Sequence, residues 1–273
     1  MNINNLILHY TEVKSLHSPL PESLADKLKH ISFVYGHMPV TTEGKVLVAK
    51  AKENWSKAAP GTVKRYLVQL RAVLNRAQRD GLIKMAPVID MPYVNDTVYV
   101  DVTGSEVNML LDYIKWTEPS WYPLVLVLAH TGARLGEALS MTPGCFTRHG
   151  TRISKPVGRR SKTIERTIPY TQRLHVAVAS GAIFRNERLT PTGIEDVSVP
   201  TCLGRVLDTS TKALGLPKLR VHDLRHAFAA VLAENGADLA DLVAALGHSS
   251  PTMAMRYRGL VKGRLNTIIG GIQ

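Results

Sequence analysis

The stretch from Leu219 to Gly259, LRVHDLRHAFAAVLAENGADLADLVAALGHSSPTMAMRYRG, carries its own punctuation and so restricts what the chain can build around it. Leu224, Phe228, Val231 and Leu232 fall on one stripe of a helix predicted from Asp223 to Asn235, which Gly236 ends. Leu239, Leu242, Val243 and Leu246 recur at helical spacing and predict a second short helix, with Gly247 as its left-handed C′ residue. His248 then sits on the turn just past a helix end. Ser250-Pro251 restarts a helix, serine as N-cap and proline at the first position. Tyr257 follows nine residues after His248. No long loop separates these pieces, so His222, Arg225, His248 and Tyr257 can converge on one small volume.

Upstream, an apolar helix predicted from Trp121 to His130 runs into Thr131-Gly-Ala-Arg-Leu-Gly-Glu-Ala-Leu, which adds Arg134 and, one turn on, Glu137. Together, Arg134, His222-x-x-Arg225, Leu246-Gly-His248 and Arg256-Tyr257 resemble the tyrosine recombinases. That family includes the phage integrases and the Xer-type and Cre-type site-specific recombinases. The resemblance covers about residues 60 to 258 and is faint before them. It implies a mostly α, two-domain DNA clamp with a small β-hairpin or sheet. Residues 1–95 would form a helical core-type DNA-binding domain, a linker would span about 86–104, and 105–273 would form the catalytic domain.

The resemblance also implies roles. Arg134 and Arg225 would grip non-bridging phosphate oxygens with planar, always charged forks. His222 would assist proton movement at the tyrosine, His248 would hydrogen-bond the phosphate, and Tyr257 would attack phosphorus. Glu137 would orient Arg134 from behind, although an ordinary i,i+3 ion pair fits the same spacing. The family's catalytic lysine lies on a hairpin before an Arg-x-x-Pro stretch, here Arg166-Thr-Ile-Pro169. Lys162 is the matching position, with Lys155 its competitor. β-branched residues flanking a basic, glycine-containing middle predict such a hairpin between Thr151 and Tyr170.

Each residue also has a plainer reading. His222 and His226 are four apart on a helix, a zinc-pair spacing, but HDLRH lacks the glutamate of His-Glu-x-x-His and Arg225 would repel a cation. No metal and no cofactor are therefore expected. There is no Walker-type phosphate loop, and Asp96, Asp101 and Glu106 have no distinctive setting. Arg225 or Tyr257 alone would pass for a surface arginine and a half-buried tyrosine. Their joint occurrence carries the argument.

Charge points the same way. The formal net charge of +12 over 273 residues makes a polyanion the expected partner. A helix predicted from Thr62 to Asp80-Gly81 buries Val63, Tyr66, Leu67, Leu70, Val73, Leu74 and Ala77. Its other faces carry Lys64, Arg65, Arg71, Arg76 and Arg79. A basic face is commonly just solvated, but this excess places part of it on phosphate, with Lys64, Arg65, Arg71 and Arg76 as the DNA contacts. Arg159 and Arg160 on the hairpin complete that set. The helix phrase resembles the last long helix of the family's core-binding domain.

Earlier in the chain, helices are predicted from Glu22 to Tyr35 and from Lys45 onward, the latter through Val46, Leu47 and Ala49. Ser105 is the expected cap of a helix from Glu106 to Lys115. Cys145 and Cys202 show neither metal spacing nor a disulfide framework. The first ten residues do not read as a signal peptide, and the most apolar stretch is about half the length of a membrane span. A cytoplasmic protein on DNA, in a prokaryotic or phage-infected cell and without membrane contact, is expected. The resemblance implies a tetramer on two double-stranded DNA sites, with accessory DNA-bending or directionality proteins as optional partners. Two other readings remain open: a type IB topoisomerase-like enzyme, and a non-catalytic DNA-binding protein of the same fold.

Overall fold

The computed structural model describes residues 1–16, 18–94, 102–154, 164–184 and 188–248. The chain divides into two compact units, Met1–Asp96 and Thr97–Gln273.

The first unit is four helices, α1 (Ile3–Ser15), α2 (Glu22–Tyr35), α3 (Gly44–Asn54) and α4 (Pro60–Arg79). α1 is an addition to the helices expected from the sequence. Its signals are nevertheless local: Ile3, Leu6, Ile7 and Tyr10 lie at i, i+3, i+4, i+7 and are all buried, and Asn2 and Asn5 cap each other reciprocally. α4 begins at Pro60 rather than at a Thr62 cap, with proline in the first turn where no N–H is missed. Its stripe of Leu67, Leu70, Val73, Leu74 and Ala77 is buried against α1, α2 and α3. In α3 the buried positions are Gly44, Leu47 and Ala51, whereas Val46 is exposed. The expected linker starts as part of this unit: Ile89 is in its core, and Ala86 N–H donates to Gln78 Oε1 at 2.9 Å.

The second unit is organised around α6 (Tyr122–Thr131), which is apolar on every side and buried from Pro123 to Ala129. A helix with no polar face can only sit inside. Around it pack α5 (Gly104–Thr117), α7 (Leu135–Leu139), α8 (Gln172–Ala179) and α10 (Asp223–Glu234). α5 is capped by Thr103, not Ser105, through a capping box with Glu106. α9 (Val199–Ala213) covers α5, and α11 (Leu239–Leu246) packs on α10. The hairpin forms as expected and gains an edge: β1 (Phe146–Thr147), β2 (Gly150–Ile153) and β3 (Arg166–Ile168) make an antiparallel sheet in that order. Thr151 pairs with Ile168 and Ile153 with Arg166. No described helix is long and apolar enough to cross a membrane.

Candidate active site

Two left-handed glycines fix where the site residues emerge. Gly132 ends α6 at φ 60°, and a Cβ there would lie 2.4 Å from Phe228 Cδ1 on α10. The chain therefore turns sharply and tightly against α10, and Arg134 follows as the residue that opens α7. Gly247 ends α11 with the same φ, and a Cβ there would meet Arg166 Nη1 at 2.8 Å. His248 follows it, buried, its backbone N–H bonded to Val243 O at 3.1 Å.

Arg225, one turn into α10, ties these two turns together. Its guanidinium is 2% exposed; Nη1 donates to Gly132 O at 2.6 Å and Nη2 to Leu246 O. Both acceptors lie at helix C-termini, where carbonyls lack intrahelical partners and the dipole is negative. A cation placed there satisfies both ends. The residues two places after these acceptors are Arg134 and His248. Arg225 thus holds the two turns from which they project.

His222 occupies the N-cap position of α10 and keeps much of its surface exposed. Burial first, then the charge of Arg225, and after it those of Arg134 and Arg220, hold its imidazole below the ordinary histidine range, against the opposing charge of Asp223. The ring is therefore neutral at pH 7 and able to accept a proton. The His222 ring meets that of His226 edge-on, centroids 4.9 Å apart. Among the described residues no cluster of three His, Cys, Asp or Glu side chains is placed to hold a metal.

Glu137 is buried and bonds Arg134 twice: Arg134 Nη1 donates to Oε1 at 2.9 Å, and the Arg134 backbone N–H to Oε2 at 2.8 Å. The structure adds a second cation on the same carboxylate, Arg166, with Nη2 3.0 Å from Oε2. Arg134 keeps about a third of its side chain (32%) open to solvent, whereas Arg166 keeps 6%. In the sequence Arg166 stands out only as the first residue of Arg-Thr-Ile-Pro169.

Asp223 is the other residue the sequence does not single out. Burial alone would raise its carboxyl, but hydrogen bonds from the Arg220 side chain and backbone outweigh this and hold it below the usual carboxylate range. Arg220 N, Nε and Nη2 all donate to it, at 2.7, 3.0 and 2.9 Å. This clamp fixes the turn on which His222 sits. An aspartate in the first turn of a helix was the available signal.

Lys162, its competitor Lys155, Arg159, Arg160 and Tyr257 lie outside the described residues, as do Ser250-Pro251 and the segment from 260 onward. On the first unit, Arg65 and Arg71 of α4 are exposed, and Lys64 and Arg76 are partly buried. Arg71, Arg76 and Arg79 line a groove of about 620 Å³ with Tyr10 and Lys14 of α1. Arg76 is partly committed there, its Nε 2.6 Å from Asp80 Oδ2, an oxygen also 2.7 Å from His9 Nε2.

A sequence model of the phage integrase family matches residues 101–263, well over half of the chain. The chain belongs to the phage integrase family. Among the family's curated members, the integrase of Mycobacterium phage L5 is 30% identical over 247 residues, a match spanning 82% of this chain and 66% of that protein. The tyrosine recombinase XerC of Agrobacterium fabrum is 28% identical, the match spanning 74% of this chain and 68% of that one. Of solved family folds, the Tn1549 transposon integrase in complex with transposon right end DNA superimposes with a TM-score of 0.77 at 17% identity, covering 98% of this chain and all of the other. A lambda integrase dimer bound to a core site gives 0.71 at 16% identity, covering 94% of this chain and 77% of the other. The mostly helical fold with its small sheet is the fold of this family.

Proposed function

We propose that this chain is a site-specific tyrosine recombinase that cleaves and rejoins duplex DNA through a 3′-phosphotyrosine, with Tyr257 as nucleophile. The observation that carries the reading is the buried Arg225 guanidinium, which holds the turns leading to Arg134 and His248 beside a neutral His222. Fixed cations around one small volume are what phosphoryl transfer needs, because its transition state spreads negative charge over the phosphate oxygens.

In the proposed reaction the Tyr257 phenol gives its proton toward His222 and its oxygen attacks phosphorus. The bond from phosphorus to the 5′ oxygen breaks, and Lys162 supplies the proton that this oxygen takes. One phosphodiester is exchanged for a tyrosyl ester, so the free 5′ hydroxyl can reverse the step without ATP. Arg134 and Arg225 stabilise the non-bridging oxygens and His248 donates a hydrogen bond to one of them. Residues 1–95 add phosphate contacts through Lys64, Arg65, Arg71 and Arg76 of α4, and Arg159 and Arg160 add contacts from the hairpin. The relatives named above, among them integrases captured on DNA, support this substrate. Four protomers joining two sites, with residues 260–273 as the contact between neighbours, complete the proposal, and the reaction belongs on DNA inside the bacterial or phage-infected cell.

The test is covalent capture. Purified protein is incubated with a randomised pool of duplexes, denatured, and assayed for protein-linked DNA. Wild type should form the adduct, and Tyr257→Phe should bind DNA without forming one. An adduct with the phenylalanine variant removes Tyr257 as nucleophile. Relaxation of site-free supercoiled plasmid by the monomer would replace the recombinase with a topoisomerase.

A further inference from the structure

Arg166 touches more of the site than any role assigned so far requires. It stands at the start of β3, yet its guanidinium reaches two other elements. Nε donates to Ala245 O in the last turn of α11 at 2.7 Å, Nη2 to Glu137 Oε2 at 3.0 Å, and Nη1 to Ile164 O, two residues before the strand, at 3.3 Å. The α11 turn closes directly over it at Gly247, where a side chain would collide with Nη1.

The sharing of Glu137 matters most. One oxygen takes the Arg134 guanidinium; the other takes the Arg134 backbone N–H and Arg166. Among the described residues, Glu137 is the side chain that holds Arg134's fork. Arg134 is long, partly open to solvent, and has several rotamers to choose from. Its aim is set by the carboxylate plane, and Arg166 restrains that plane from the far side. A catalytic group must be held within about 0.5 Å of its productive position, and that depends on the partners behind it.

Resting on the recombinase reading above, we propose that Arg166 is a positioning residue. By holding Glu137 Oε2 and the Ala245 carbonyl at once, it fixes the Arg134 guanidinium relative to the helix end that leads to His248. Arg166 touches no reacting atom; it sets the distance between two groups that do. The alternative is a buried ion pair that only holds the fold, whose loss would lower stability and every activity together.

The experiment compares wild type, Arg166→Lys, Glu137→Gln and the double variant. Thermal melts, gel shifts on a randomised duplex at one salt concentration, and single-turnover adduct formation on duplexes captured by wild type are measured for each. Lysine keeps the charge beside Glu137 but lacks the fork that reaches both acceptors. Arg166→Lys should fold and bind within about twofold of wild type yet form adduct roughly 100-fold more slowly, the cost of about 1 Å of misalignment. Glu137→Gln should be similarly slow, and the double variant no slower than the slower single one, because both act through Arg134. Losses that multiply, or a wild-type rate for Arg166→Lys, overturn the proposal. If Arg166→Lys unfolds, the pair Arg166→Gln with Glu137→Gln removes both charges together. Slow cleavage with normal binding then supports the proposal, and a wild-type rate overturns it. Absence of any adduct with wild type is a different result: it removes the recombinase reading and this inference with it.

Discussion

Arg225 reaches across 93 positions of sequence to give a guanidinium N–H to the Gly132 carbonyl at 2.6 Å. The arginine that would grip phosphate is thus also a strut between two helix ends. A single side chain with both duties cannot be replaced to test one of them alone.

Arg225→Ala should accordingly be a stability mutation first. It leaves the Gly132 and Leu246 carbonyls without their charged donor. Each hydrogen bond to a charged group is worth about 1.5–3 kcal/mol, so a loss of roughly 3–6 kcal/mol is expected for the two. Urea denaturation measures it directly. An unchanged midpoint would show that the guanidinium is not anchored, and that inactivity of this variant can be read as chemistry alone.

Gly132→Ala isolates the packing of that turn. The left-handed backbone costs any other residue about 1–2 kcal/mol, and overpacking against Phe228 adds about 1–3 kcal/mol. Gly81 supplies the control, since it also has positive φ (75°) but nothing within 4 Å of an added Cβ. Gly81→Ala should therefore show only the backbone cost. Equal losses at the two positions, measured by the same melts, would mean that Phe228 yields freely.

What the sequence revealed and what it hid divide along range. Helices α4, α6, α10 and α11 were legible because their signals are local: an apolar stripe, a stopping glycine, an all-apolar run. α1 has the same kind of stripe at Ile3, Leu6, Ile7 and Tyr10, and α5 has the Thr103-x-x-Glu106 box, so both signals are local too. Arg166 was different. Its partners are 29 and 79 positions away, and nothing in Arg-Thr-Ile-Pro states which carbonyl the guanidinium will find. Glu137 was legible as Arg134's partner because i,i+3 spacing is local, whereas its second cation was not. Asp223 lies between those cases, since its partner Arg220 is local but the value of the clamp depends on the burial around it.

His130 makes stability depend on pH. It lies in the last turn of α6, its Nδ1 2.8 Å from Thr171 Oγ1. Burial first, and then the nearby Arg173 charge, depress its pKa from 6.5 to about 4. Above pH 6.5 the ring is neutral in both folded and unfolded states, and the full stability is present. Between 6.5 and about 4 the unfolded chain takes up a proton that the folded one refuses, so stability drains as pH falls. Melting curves across that window should show the decline, and His130→Gln, which has nothing to titrate there, should flatten it. An equally steep decline in the variant would assign the effect to other groups.

The last prediction concerns the acid limb of cleavage. If neutral His222 receives the Tyr257 proton, adduct formation falls as pH drops and the ring becomes protonated. Because burial, Arg225, Arg134 and Arg220 all depress its pKa, that fall should be centred below the ordinary histidine value of about 6.5. Arg220 gives a handle that leaves Arg134 and Arg225 in place. Arg220→Gln removes one depressing charge, and it also strips Asp223 of its counter-ion, leaving that carboxylate to favour the protonated ring. Both changes raise the pKa of His222, so the acid limb must move to higher pH. The loss of rate should be large near pH 6 and small near pH 8, where the ring is neutral in either protein. A merely loosened turn would instead lower the rate equally at every pH. Single-turnover adduct formation by the two proteins from pH 5 to 9, at constant ionic strength, distinguishes the outcomes. A limb that stays in place, or moves to lower pH, would exclude His222 as the group that takes the proton.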